Sequence, residues 1–206
     1  MNLEIFPLFS SPIVVSLLED SFDTILEDNK LWEENNDELC KNNYISSNQR
    51  ILNNYLDHSN ILLDYAYKYL EAVWSYKDIG LQITTSWLTK TITGGYSRPH
   101  AHYNSLISGV YYFDEDPEGF DGKLIFTSPT KPTSFYLGQP EEFTILNSPE
   151  WSFTPRKGQL VLFPSYLSHR IGLHSSSSPR HSLAFNIHPV GKIGGVDSFV
   201  EIFNLT

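Results

Sequence analysis

The chain has 206 residues, enough for one sizeable core and for one ordinary domain. Its net charge of −10 at pH 7 excludes the broadly basic surface that grips nucleic-acid phosphates or an anionic membrane. A single cysteine, Cys40, excludes an intrachain disulfide and suits a reducing compartment, so the cytoplasm is the expected location. Cys40 itself lies in a polar stretch and is read as incidental. The first residues lack a basic segment followed by an apolar run, which is not the pattern of a signal peptide. No apolar stretch approaches the ~18 residues of a membrane span.

In chain order, residues 3–9 read as a short strand and Ile13 to Leu18 as a second apolar run. Residues 19–43 are acidic and Asn-rich; Phe22, Ile25 and Leu26 suit one short helix, and the remainder reads as polar connection. Asn48 to Leu56 suits a short helix or turn. The best helix covers 60–76, with Asn60 as N-cap and Leu62, Tyr65, Ala66, Tyr69 and Val73 on one apolar face. From residue 80 the period changes to two. Leu81 to Thr93 reads as a strand and Gly94-Gly95 as a turn. Further strands are expected at 98–103, 106–113, 122–127, 142–147, 151–154, 159–163, 168–173 and 181–188. Two longer loops are expected at 114–122 and 129–140. Aromatics at 14% favour such a sheet-rich body. The expected plan is one domain over 1–206: a helical support region over 1–79, then a β-rich core over 80–206, of sandwich or barrel type.

The chemistry gathers in that core. His100 and His102 stand at i and i+2 on an extended segment, so both imidazoles face one side. His169 follows a Phe163-Pro164-Ser165 turn, and Arg180-His181-Ser182 opens the last long strand. A zinc structural site needs more cysteine than this chain has. Three histidine nitrogens with open positions suit a catalytic metal, so His100, His102 and His169 are the candidate ligands. Arg180 and Ser182 share a face, and a guanidinium fork beside a hydroxyl suits a carboxylate. Tyr112, on the strand after the paired histidines, could reach the same group. His58 and His174 have no partners in the sequence pattern and are left without a role.

These blocks resemble a known family. Phe6-Pro7, Pro12-Ile13, Ser86-Trp87, His100 through Tyr112, Phe163 through His169, Arg180 through Asn186 and Gly191 through Gly194 are similar to the pattern of the iron(II)/2-oxoglutarate-dependent oxygenases. The resemblance implies a mainly β double-stranded β-helix, a jelly-roll or cupin-like barrel, with N-terminal helices packed on one side. It implies Fe(II), 2-oxoglutarate and O2 as cofactor and cosubstrates, with 2-oxoglutarate split to succinate and CO2 and a substrate hydroxylated. It implies 2-oxoglutarate binding by Arg180, Ser182, Tyr112 and Asn104, and a pocket lined by Trp87, Tyr103, Asn104 and Trp151. The usual family triad is two histidines and a carboxylate. That pattern would place the acid at 102, where this chain has His102. The preferred site is therefore the three-histidine set. A His102/Asn104 pair remains open, as does a carboxylate elsewhere, such as Asp114 or Asp116.

Two other classes compete: a three-histidine cupin-type enzyme that does not use 2-oxoglutarate, and a jelly-roll binding module without catalysis. No nucleophile elbow, phosphate loop or His-Glu-x-x-His is present to support a hydrolase. The substrate is expected to be a small molecule or a protein residue rather than nucleic acid. Exposed sheet edges leave room for a homodimer.

Overall fold

A computed structural model describes residues 4–35, 37–115, 122–130, 135 and 137–203. Its strands are β1 (Val14–Leu17), β2 (Trp32–Glu34), β3 (Lys41–Ser46), β4 (Gly80–Tyr96), β5 (Ile107–Tyr112), β6 (Leu124–Thr127), β7 (Glu150–Phe153), β8 (Gln159–Pro164), β9 (His169–Ile171), β10 (Arg180–Ile193) and β11 (Val200–Ile202). Helix α1 covers Asp23–Asp28 and α2 covers Leu56–Trp74. The larger sheet runs β1-β8-β5-β10-β4-β3-β2, with β11 paired to the end of β10; the smaller runs β7-β6-β9. All the strand pairs are antiparallel. The two sheets form the jelly-roll body of a double-stranded β-helix.

The period of two divides the larger sheet into two faces. Ile107 and Tyr111 of β5, Leu160 and Leu162 of β8, and Leu183, Phe185 and Ile187 of β10 turn outward into one core with α1 and α2. Leu62, Ala66, Tyr69 and Leu70 are the buried stripe of α2. Burial of each large member of that stripe stabilises the packing by roughly 1.5–3 kcal/mol. The intervening residues turn inward. Val110, Tyr112, Val161 and Phe163 meet Leu124 and Phe126 of the smaller sheet in a second core. All six β5 residues are buried because the strand carries core on both faces.

Several sequence expectations are corrected. Described residues 4–13 form no strand; Pro7 and Pro12 donate no backbone N–H, and β1 begins only at Val14 as the edge strand on β8. The polar connection within 19–43 contains β2 and the first half of β3, so the expected helical support region contributes three strands to the main sheet. Asn-rich β3 has weak strand propensity, but its ladder with β4 and the Asn43–Thr91 side-chain bond (3.0 Å) hold it. Helix α2 starts a turn before Asn60, at Leu56, with Tyr55 at the N-cap and no side-chain cap. Gly94-Gly95 does not turn the chain. Gly94, at φ +77°, sits inside β4 beside a register shift against β3, and a Cβ on Gly95 would lie 2.5 Å from Thr91 Cγ2. Residues 98–102 carry only the isolated bridge at His100, Tyr103 lies in a turn, and 142–147 form no strand but a turn at 145–147. The expected loops at 114–122 and 129–140 lie partly outside the described residues, as does Asp116.

Candidate active site

Backbone pairing assembles the histidines. After β4 the chain runs beside β9. His100 and His169 exchange both N–H···O bonds at 2.9 Å, and the His102 N–H donates to the Ser165 carbonyl at 2.9 Å. Residues opposed in an antiparallel bridge point to the same side, and His102 follows at i+2. The rings of His100 and His169 lie 4.4 Å apart, and each lies 5.2 Å from that of His102. One ligand nitrogen from each lies within 4.8 Å of the others. Such convergent nitrogens are a set that could hold one metal ion.

Two of the rings are oriented by carbonyls. Nδ1 of His100 lies 3.0 Å from the Arg98 carbonyl, and Nδ1 of His169 lies 3.0 Å from the Leu167 carbonyl. A carbonyl only accepts, so each Nδ1 carries the proton and each Nε2 keeps its lone pair for a metal. Among the described residues the His102 ring has no hydrogen-bond partner; Trp87 packs edge-on at 5.8 Å. Burial, with the nearby His100 as a smaller cause, lowers the His102 pKa to about 4 and the His169 pKa to about 3. Both stay neutral near pH 7, the form that binds a cation.

The three histidines share one cavity of about 300 Å³ with Arg180. Three neighbouring strands build its far end. Register sets Ser182 of β10 opposite Tyr112 of β5 and Thr89 of β4. Arg180 is only 6% exposed, yet its Nε and Nη1 have no hydrogen-bond partner among the described residues. Its guanidinium lies 4.9 Å from the Tyr112 ring centroid. The Tyr112 hydroxyl is buried beside Arg180 without a well-formed hydrogen bond, and burial, opposed by Arg180, raises its pKa, so it stays a donor. The Ser182 and Thr89 hydroxyls lie 2.6 Å apart. Buried donors left without acceptors are costly, and a cation most of all. Such a cluster fits a carboxylate. The donor set at both ends therefore fits a metal ion together with 2-oxoglutarate.

Not every expected residue joins the cavity. Trp87 lines it. Tyr103 and Asn104 lie in an exposed turn, and Trp151 on β7 is 39% exposed; none of the three lines it. Asp114 accepts the N–H of His181 at 2.5 Å and lies 3.1 Å from its Nδ1, away from the three histidines. Thr89 and the β2–β3 hairpin were missed. Asn35, Asp37, Cys40 and Asn43 line the cavity from that hairpin, and Asp37 pairs with Arg98. The Leu39 N–H, then Arg98, lower the Asp37 pKa. Thr89 is signalled only by the alternation Thr85, Thr89, Thr91 once the partner strand is known.

A match to the family described as "Putative 2OG-Fe(II) oxygenase" runs over residues 85–186 and contains the histidine cluster, Tyr112, Arg180 and Ser182. No curated protein matches the sequence with significance. The fold is similar to a Pseudomonas putida prolyl-4-hydroxylase (TM-score 0.55, 15% identity, covering 88% of this chain and 94% of that one). It is similar to HygX of Streptomyces hygroscopicus with nickel and 2-oxoglutarate bound (0.57, 13%, covering 87% and 83%). A Trichoplax adhaerens prolyl hydroxylase in complex with a hypoxia-inducible-factor peptide is also similar (0.56, 12%, covering 88% and 85%). The chain thus matches the family of 2-oxoglutarate/iron(II) oxygenases over the residues that build the cavity, and it shares the fold of these structures.

Proposed function

We propose that the enzyme holds iron(II) with His100, His102 and His169, anchors the far carboxylate of 2-oxoglutarate on Arg180, Tyr112 and Ser182, and hydroxylates a small molecule or a protein side chain in the cytoplasm. One observation carries the reading: a single cavity joins three convergent histidines to a buried arginine with unpartnered N–H groups. When bound, the metal with 2-oxoglutarate and O2 supplies the oxidation, in which the cosubstrate becomes succinate and CO2.

The protein's part is geometric and electrostatic. His100 and His169 present fixed Nε2 lone pairs, and burial keeps His102 and His169 unprotonated. Arg180 supplies the charge and Tyr112 a neutral donor. The Ser182–Thr89 pair holds two hydroxyl hydrogens, of which one bridges the pair and the other is free for the cosubstrate. Asn104 is not needed for this anchor, and its exposure counts against the His102/Asn104 alternative. Trp87 and the β2–β3 hairpin form the wall a substrate would meet. HygX is also seen with hygromycin B and the Trichoplax enzyme with a peptide, which supports both substrate classes.

Conversion of 2-oxoglutarate to succinate, followed by NMR with iron(II), ascorbate and air, tests the reading. Succinate should form and should vanish with His169→Ala and with Arg180→Ala. Iron bound with 2-oxoglutarate untouched would favour a three-histidine enzyme of another type. Failure to bind iron would favour a binding module.

A further inference from the structure

Arg180 lines two cavities. Besides the large one, it borders a cavity of about 20 Å³ with His174, Ser178 and Asp114. His174 is 2% exposed. Its Nε2 lies 2.7 Å from the Ser178 carbonyl, which only accepts, so Nε2 carries a proton and the lone pair of this tautomer sits on Nδ1. That Nδ1 has no hydrogen-bond partner, and neither has the Arg180 Nε–H. Among the described residues a buried acceptor and a buried donor are thus both unmatched, on two residues that line the same small space. They meet over Gly122. A Cβ on that residue would lie 3.0 Å from His174 Nδ1, 2.9 Å from Arg180 Cδ and 3.5 Å from Arg180 Nε. Gly122 adopts φ +62°, which a glycine takes without cost. Asp114 and Glu115 also line this cavity, and Asp114 Oδ2 is engaged by the backbone N–H and the ring of His181.

The small cavity has the size for one water, which needs about 10–15 Å³ and two or more polar partners. We propose that His174 is a positioning residue for the cosubstrate: one water in this cavity accepts from Arg180 Nε–H and donates to His174 Nδ1, fixing the guanidinium plane for the far carboxylate of 2-oxoglutarate. The inference rests on the function proposed above. It adds a group that reaches the cosubstrate only through Arg180, and it explains why the carbonyl of Ser178 sets the tautomer of a histidine remote from the metal ligands.

Two variants separate this role from a merely structural one. His174→Gln can place a donor near Nε2 and keep the Ser178 bond while losing the acceptor at Nδ1. His174→Asn can place an oxygen near Nδ1 and loses the Ser178 bond. In the nickel-loaded protein, titration calorimetry with 2-oxoglutarate should show the Gln variant binding about tenfold more weakly, as for one lost hydrogen bond, with nickel affinity unchanged. The Asn variant should bind clearly more tightly than the Gln variant. Parent-like binding by the Gln variant, or an Asn variant as weak as the Gln variant, would overturn the proposal. An Arg180→Ala protein measured alongside keeps the two readings apart. If Arg180→Ala binds 2-oxoglutarate like the parent, the anchoring function fails and this role with it. If Arg180→Ala is weak while the Gln variant is normal, only the role of His174 fails.

Discussion

The two ends of the large cavity are built differently. The histidine end comes from short, near-local pieces: an i, i+2 pair and one backbone bridge from His100 to His169. The arginine end comes from side chains on three long strands whose register must be right along many residues before Arg180, Tyr112, Ser182 and Thr89 meet. At the first end burial keeps His102 and His169 neutral; the second carries a buried cation without an ion-pair partner among the described residues. The metal end should therefore respond mainly to loss of a ligand. The cosubstrate end should respond to charge and to packing of the sheet.

Breaking the metal end outright gives the largest expected effect. His169→Ala should lower metal affinity roughly 100-fold or more, beyond the range seen for outer partners of a ligand, measured by nickel or cobalt titration of the metal-free protein. Arg180→Ala should leave metal affinity in the absence of 2-oxoglutarate near the parent value and weaken 2-oxoglutarate by about 100-fold, since it removes the charged partner of a buried carboxylate. If both variants damaged both ligands equally, the division into two ends would be wrong.

His102→Asp sharpens the contrast. A carboxylate at 102 brings a negative charge to a centre whose three ligands are neutral. The variant should bind metal more tightly without 2-oxoglutarate, and the cosubstrate should then raise metal affinity by a smaller factor than in the parent. Equal coupling in the two proteins would show that ligand charge does not set it. Thr89→Val and Ser182→Ala each remove one hydroxyl of a buried pair and should weaken 2-oxoglutarate about tenfold.

A pH effect follows from the histidine end alone. Burial lowers the pKa of His102 to about 4 and of His169 to about 3 in the folded, metal-free protein, against about 6.5 for an ordinary histidine. Below 6.5 the unfolded chain therefore binds more protons than the folded one. Their contribution to stability is complete above pH 6.5 and is lost as the pH falls towards 4 and then 3. The urea midpoint of the metal-free protein should fall between pH 7 and pH 5, and less steeply in His169→Phe, if that variant folds. An equal slope in that variant would contradict a buried, neutral His169. The smallest effects belong to Asn104→Ala and Trp151→Ala, which should leave the affinities for metal and 2-oxoglutarate unchanged.

The same contrast explains what was legible in the sequence. His100, His102 and His169 could be read because an extended segment fixes which residues share a face and a Phe-Pro-Ser turn marks the return of the chain. Arg180 and Ser182 could be read for the same reason of period. Thr89 could not, because its partner is set by strand register, which no single strand encodes. The β2–β3 hairpin was hidden because Asn42 and Asn43 have poor strand propensity and are held by pairing with β4. His174 was passed over because nothing beside it in sequence shows that Gly122 brings it to Arg180. Tyr103, Asn104 and Trp151 were over-read: they are close in sequence to, or of a type with, pocket residues, but they face solvent.

The most direct test of a shared cavity is optical. Iron(II) and 2-oxoglutarate added to the metal-free protein without oxygen should give a visible metal-to-ligand charge-transfer band. That band should weaken in Arg180→Ala at limiting 2-oxoglutarate and disappear in His102→Ala. A band that persists unchanged in both variants, or no band in a parent that binds iron, would contradict a centre in which three histidines and Arg180 serve one bound cosubstrate.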